Sequence, residues 1–413
     1  MGYLRFLRDN LRWIAGGFLL TLFSSFGQTF FISLWGGDLR AEFDLSHGDF
    51  GSIYMVSTLA SAATLTILGR IVDRVSVAVV AVGVIVMLGI TAIGMSMVNS
   101  VPMLIVLIFM LRLFGQGMMT HTAMTAMGRW YAKNRGKAVS ITTLGHQAGE
   151  AALPISFVAM AAVVGWRTSW LIAGGLVLCI ALPVIFGLMR RERTPKSQDD
   201  DEFEDVSEQR QWQRGEVLKD HLFWLVCIGI MAPAFIGTSI FFHQIYLIEL
   251  KGWSVELFAS SFAVMAITTA SLALISGILI DRFSARALLP WFLSPLAMGC
   301  LVLAWFSSPL AIIAFMFLQG VSYGISSALF GALWPEIYGT RHLGAVRSVI
   351  VALMVLSSAL GPGVTGLLID QGIAFTSQLE VIVVYLIAAS VILYFVERAI
   401  SARHLAEPVR GVS

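Results

Sequence analysis

Twelve stretches of about twenty mostly apolar residues follow one another along this chain, and they fix its surroundings before any single residue is considered. A helix of that length crosses the roughly 30 Å hydrocarbon layer of a bilayer. The approximate spans are 13–35, 49–69, 77–97, 101–128, 138–162, 168–189, 221–247, 256–279, 287–306, 309–334, 345–368 and 378–398. They are continuous rather than alternating at every second residue, so helices and not a barrel are expected. Of 413 residues only 13% are charged and the mean hydropathy is +0.83, whereas a soluble domain carries about a quarter charged residues. The expected fold class is all-α: a polytopic membrane protein with twelve transmembrane helices and the lipid bilayer as its solvent.

The net charge of +2 says little, but its distribution says a good deal. Of the 27 Lys and Arg, three (Arg40, Arg167 and Lys251) fall on one side, Arg112 falls within the membrane, and the other 23 fall on the side of the termini. The positive-inside rule therefore predicts both termini in the cytoplasm, in keeping with a bacterial inner membrane. The basic start MGYLRFLRDNLRW reads as an amphipathic lead, because the apolar run after it is too long for a secretory signal. Cys179, Cys227 and Cys300 lie in apolar helices, so a disulfide framework is not implied.

Between the sixth and seventh stretches, Arg190 to Asp220 is a polar connection of mixed charge. It divides the chain into an N-terminal half, 1–189, a cytoplasmic linker, 190–220, and a C-terminal half, 221–413. Internal repeats support that division. GRIVDRVS at 69–76 reappears as GILIDRFS at 277–284, each after the second helix of its half, and FGQGMMTHTAMTAMGRWY has a degenerate echo in FLQGVSYGISSALFGALW. Weak self-similarity between two halves is the mark of a transporter. In each repeat the glycine (Gly69, Gly277) lets helices approach. The charges Asp73 with Arg74 and Asp281 with Arg282 suit a latch across a short cytoplasmic loop, holding one conformation.

These loops resemble the G-x-x-x-D-R-x-G pattern of the major facilitator superfamily, with Ser76 and Ser284 in place of the final glycine. LRLFGQG resembles that family's R-x-x-x-Q-G variant, with Arg112 as the arginine. The resemblance covers nearly the whole chain and implies two pseudo-symmetric six-helix halves and secondary transport by alternating access. GRWYAKNRGKAVSITTLGHQAG, 128–149, is similar to the stretch between helices four and five of the monocarboxylate transporters and oxalate/formate exchangers. It departs from them in having no Asp or Arg in helix eight and no Lys in helix eleven. Glu150 stands where a G-x-x-x-G-P motif would place proline, and GPGVTG at 361–366 is expected to bend helix eleven.

Ionisable residues inside spans are the candidates for function, since a central charge costs roughly 3 kcal/mol on insertion scales. At about 1.5 Å per residue, His121 and His146 lie about 12 and 13 Å from the terminus side, Glu150 about 20 Å and Arg112 about 25 Å. The functional reading makes Arg112 an anion-binding or gating charge, with Glu150, His146 and His121 coupling protons. The structural alternatives are a permanent Arg112–Glu150 pair, or an Arg112 that satisfies broken backbone in helix one. Gln28, Gln319 and Tyr323 would line the same cavity as substrate contacts, and His243 and Gln244 suit a gate or vestibule.

The sequence carries no phosphate-binding loop, dinucleotide motif or nucleophile elbow, so an enzyme, a cofactor or a nucleic-acid partner is not expected. The leading expectation is proton-coupled symport of a small organic anion, a monocarboxylate, by a monomer. Two alternatives stand beside it. One is proton-coupled efflux of an amphipathic compound. The other, from a different class, is a metal-handling protein using His121, His146 and Glu150, because His-x-x-x-Glu has metal-ligand spacing.

Overall fold

The computed structural model describes residues 3–131, 135–191, 211–339 and 341–406, without the side chains of 3–5, 73, 135, 281 and 404–406. Among the described residues there are helices and no strands, and nine helices are long and apolar enough to cross a membrane, or ten if the two bent pieces of the first span count as one. Helix α1 is a broken span, 3–43; α2 is His47–Leu68, α3 Val77–Ser96 and α4 Val101–Trp130. A continuous run then divides at Gly165, whose φ of +78° turns the chain, into α5 (135–164) and α6 (166–189). In the second half α7 is His221–Phe242, prolonged by Gln244–Lys251, and α8 is Val255–Phe283. The span α9 (286–305) is regular only over Ser294–Trp305; α10 is Pro309–Tyr338, α11 Leu343–Asp370 and α12 Phe375–Ala406.

Local chemistry sets the ends of several of these helices. Ser46 and Asp49 form a capping box at the start of α2, the side chain of each accepting from the other's backbone N–H. The Ser254 hydroxyl accepts from Leu257 N–H at the start of α8. Helix α1 begins earlier and ends later than its apolar core suggests, because the basic lead continues as helix and the far end coils on to Phe43. GPGVTG does not interrupt α11, which runs through Pro362 as one helix.

Within each half, glycines set the closest packing. A side chain at Gly149 would stand 2.8 Å from the Leu22 carbonyl oxygen, so the G-x-x-x-G of α5 is where α5 meets α1. Gly361 of α11 meets the Phe235 carbonyl of α7 in the same way. The halves then join through α2 on α11 and α5 on α8.

Among the described residues, every hydrogen bond between the halves lies at the end far from the termini. Ser33 Oγ donates to the Phe241 carbonyl (2.6 Å), and Gln244 Nε2 donates to the Phe30 carbonyl (3.0 Å) and to Ser33 Oγ (2.8 Å). The Asp370 carboxylate, at the end of α11, accepts from the amides of His47 (3.1 Å) and Gly48 (2.8 Å) at the start of α2. Phe242 stacks on Phe50 and lies against Tyr54.

On the terminus side each half is tied within itself. Arg12 donates to the carbonyls of Gly187 and Leu188, fastening α1 to α6. Most of the expected linker, residues 192–210, lies outside the described residues. Its end, 211–220, packs under the C-terminal half, where Trp212 N–H donates to the Tyr338 carbonyl. There Asp220 receives a two-pronged bond from Arg403 (2.7 and 3.0 Å), a third from Tyr338 (3.0 Å) and one from the amide of Leu222 (3.1 Å). Burial pushes the Asp220 carboxyl up, but these donors outweigh it and hold it below its ordinary value.

Candidate functional site

The centre of the site is the break in α1. After Phe23 the chain tightens into a 3-10 turn, Ser24–Gly27, and Gln28 is extended (φ −85°, ψ 155°) before the helix resumes at Thr29, with a 44° bend between the two parts. An extended residue in a membrane helix frees carbonyls that must find donors. Gly27 permits the contact that supplies one, since a side chain there would stand 2.7 Å from Gly115 Cα on α4. Opposite it, α4 widens into a π-helix over Leu111–Met119, an irregularity that often accompanies function.

Arg112 lies on that π-helix, 2% exposed. Its NH1 donates to the Gly27 carbonyl (3.2 Å), its guanidinium lies 5.1 Å from the centre of the Tyr54 ring, and its Nε is buried without a hydrogen-bond partner. Tyr54 is anchored in turn by Thr29, oxygen to oxygen at 2.6 Å. Of the two structural alternatives the backbone one is present, and the Arg112–Glu150 ion pair is absent among the described residues.

Glu150 is buried on α5 with neither an ion pair nor a hydrogen bond among the described residues. Tyr323 stands on α10, in the other half. Tyr323 packs against Gly237 of α7, with its hydroxyl 3.5 Å from the Pro233 carbonyl. Gln319, one turn earlier, is fully buried. His146, one turn before Glu150, sets its ring 6.1 Å from Phe30, which touches Phe262 of α8.

His121 is elsewhere. Its Nε2 lies 3.2 Å from the Gly69 carbonyl, so it holds the α2–α3 loop, and the expected His121–His146 layer is not formed. The metal-handling alternative is corrected by the same geometry: among the described residues there is no group of three or more His, Cys, Asp or Glu that could hold an ion. Helical spacing put His146 and Glu150 on one face, but α4 carries His121 to the loop instead.

The repeated loops are built differently in the two halves. Gly69 approaches α4 closely through His121, and Arg129 adds a bond to the Val72 carbonyl (3.0 Å). Gly277 has open space where a side chain would stand, so the close approach expected there is not made. In that half Glu336 of α10 accepts from Ala285 N–H (2.7 Å) and pairs with Arg286 (3.5 Å). Arg74 is exposed, and Arg282 lies over Phe283. The side chains of Asp73 and Asp281 lie outside the described residues. Ser284 takes φ +88°, a left-handed conformation costly for any residue but glycine, whereas Ser76 does not.

Of the residues expected at a gate or vestibule, His243 faces the Pro362 carbonyl at 3.0 Å, and Gln244 bonds across to the other half. Sequence reasoning missed Tyr54 and Asp370. The only signals were the single tyrosine of α2 and an acid at a helix end.

The family model of the Major Facilitator Superfamily matches residues 17–362 and again 244–410. No curated protein sequence matches the chain. Among solved structures, a bacterial homologue of the human lysosomal transporter Spinster, inward-facing and unoccupied, superposes with a TM-score of 0.73 at 17% identity. The match covers 94% of this chain and 97% of that one. The same homologue in its occupied inward-facing form gives 0.68 at 18% identity, over 95% and 96%. A point mutant of the nucleoside transporter NupG gives 0.67 at 13%, over 95% and 99%.

Proposed function

We propose that this chain, which belongs to the major facilitator superfamily, moves a small organic anion, a monocarboxylate, together with a proton by alternating access. The observation that carries the reading is Arg112. A guanidinium buried in the middle of a membrane protein is costly without a counter-charge, and among the described residues no carboxylate pairs with it. An anionic substrate supplies that charge, and the planar fork of arginine suits a carboxylate. Gln28, at the break beside it, and Gln319 and Tyr323 on α10 supply further polar contacts. Glu150 is the reciprocal case, a buried acid without a cation, and a proton neutralises it; His146, one turn away, accompanies it in proton coupling.

Both termini and the 190–220 connection are read as cytoplasmic on the Lys/Arg bias, which makes the sealed far side the outer gate. A reporter fused after Ser413 that responds only to outside reagents would reverse that orientation. A single chain carries both halves, so a monomer suffices.

The test is uptake of small labelled carboxylates into proteoliposomes with and without an inward proton gradient. Arg112→Gln should abolish uptake and Arg112→Lys weaken it. Glu150→Gln should lose accumulation against a gradient while still exchanging labelled for unlabelled substrate, which needs no proton release. Wild-type carboxylate uptake by Arg112→Gln would sink the anion reading, and accumulation by Glu150→Gln would sink the proton role. A second reading, proton-driven efflux of an amphipathic compound, is favoured by the aromatic cluster of Phe30, Phe262 and Phe241, in which the Phe262 ring lies 5.6 Å from Phe30 and 5.1 Å from Phe241. The same vesicles, loaded with a fluorescent amphiphile, report it as extrusion.

A further inference from the structure

A recess of about 530 Å³ opens on the lipid-facing surface between α9 and α12, away from the central site. Its cause is local. Helix α9 becomes regular only at Ser294, after a 3-10 turn and a run of turns, and Pro290, Ser294, Ala297 and Ser390 put short side chains among the larger apolar ones of the walls. Large side chains stand at the rim instead, Trp291 at 66% and Phe395 at 62% exposure. A membrane protein with small residues inside and large ones outside at one place has a groove and not a flat face.

Length and charge say what fills it. From Val383 to Phe395 the groove follows twelve steps of α12, about 18 Å at 1.5 Å per residue, close to one leaflet of a layer roughly 30 Å thick. At its terminus-side end Tyr394 lines the wall, and one turn on the exposed Arg398 guanidinium lies 4.6 Å from the centre of that ring. Its neighbour Glu397 is engaged by the Ser401 hydroxyl (2.8 Å), and among the described residues Arg398 has no ion-pair partner. We propose that the α9–α12 groove binds one acyl chain of an anionic phospholipid from the terminus-side leaflet, with Arg398 holding its phosphate.

The full chain in nanodiscs provides the test, read by tryptophan quenching with bromine-labelled acyl chains. The share due to Trp291 is the difference between wild type and Trp291→Phe. Brominated phosphatidylglycerol in a phosphatidylcholine background should half-quench that share at a mole fraction about five-fold lower than brominated phosphatidylcholine, the weight of one cation beside an anionic headgroup. Arg398→Gln should erase the difference, and Ser390→Phe, which fills the groove, should reduce quenching by both lipids. Equal quenching by the two lipids in wild type, or a preference that survives Arg398→Gln, overturns the proposal. So does a Trp291 shielded from both lipids in a cross-linkable dimer, which would seat a second copy there.

Discussion

Replacing Gln244 by leucine should open the far side. Gln244 is fully buried, and its amide makes two bonds to the other half, to the Phe30 carbonyl at 3.0 Å and Ser33 Oγ at 2.8 Å. Each is worth about 1 kcal/mol net, and both exist only while the halves are closed at that end. Losing them therefore costs the closed state about 2 kcal/mol and the open state little, which moves the ratio of open to closed roughly 30-fold. Leucine keeps the volume, so packing is nearly conserved. Spin labels at Ala41 and Leu250, exposed at the far ends of the two halves, would read the change by pulsed electron resonance. Wild type should give one short distance and Gln244→Leu a second, longer one. An unchanged distribution would refute the claim that these bonds hold the gate.

Other perturbations reach other parts of the molecule. Asp220→Asn should cost about 2 kcal/mol of stability, since hydrogen bonds to a charged group are worth more than neutral ones. Because the folded carboxyl sits below its ordinary 3.8, its contribution is present above that pH and lost as pH falls through the lower folded value. Thermal unfolding of wild type and variant should therefore converge in acid, and parallel curves would exclude the linkage. Ser284→Gly should raise the unfolding temperature by releasing about 1 kcal/mol of left-handed strain, whereas Ser76→Gly, at φ −58°, should bring no gain. Asp73→Asn and Asp281→Asn should slow conformational exchange without blocking insertion. Identical flux and cysteine accessibility in both variants would end the latch reading.

The helices were legible because hydrophobic transfer is local: twenty apolar residues have one stable arrangement in lipid wherever they occur in a chain. Placement of partners was not, because it depends on which helix faces meet. The break in α1 shows the difference. SSFGQT contains no proline, and its departure from helix makes sense only once Gly27 lies on the π-helical turn of α4 and Arg112 supplies the lost donor. The GHQAGE stretch shows glycines in a packing role. Its glycines resemble a transport motif, yet their small size is used to bring α5 onto α1. His121 likewise looked like a third member of a buried cluster by depth alone, but depth along a helix does not give azimuth, and it turns to Gly69.

The asymmetry between the repeats bears on how such a chain moves. If the halves were strict copies, both loops would be clamped alike and neither end of the junction would be favoured. Here the first loop is held to α4 by His121 and Arg129, while the second pairs with Glu336 and bends through a strained Ser284. The far end is meanwhile sealed by bonds from Gln244 and Asp370, and no described bond joins the halves at the terminus side. A transporter that alternates must be able to exchange these two arrangements, so the bonds at one end have to be few enough for the other end to replace them. Five hydrogen bonds, four of them buried or half-buried, at about 1 kcal/mol each are of the size a bound substrate can offset. The same logic makes Arg112 the natural link, because its hold on Gly27 fixes the break in α1, and α1 carries Phe30 and Ser33 directly into the seal.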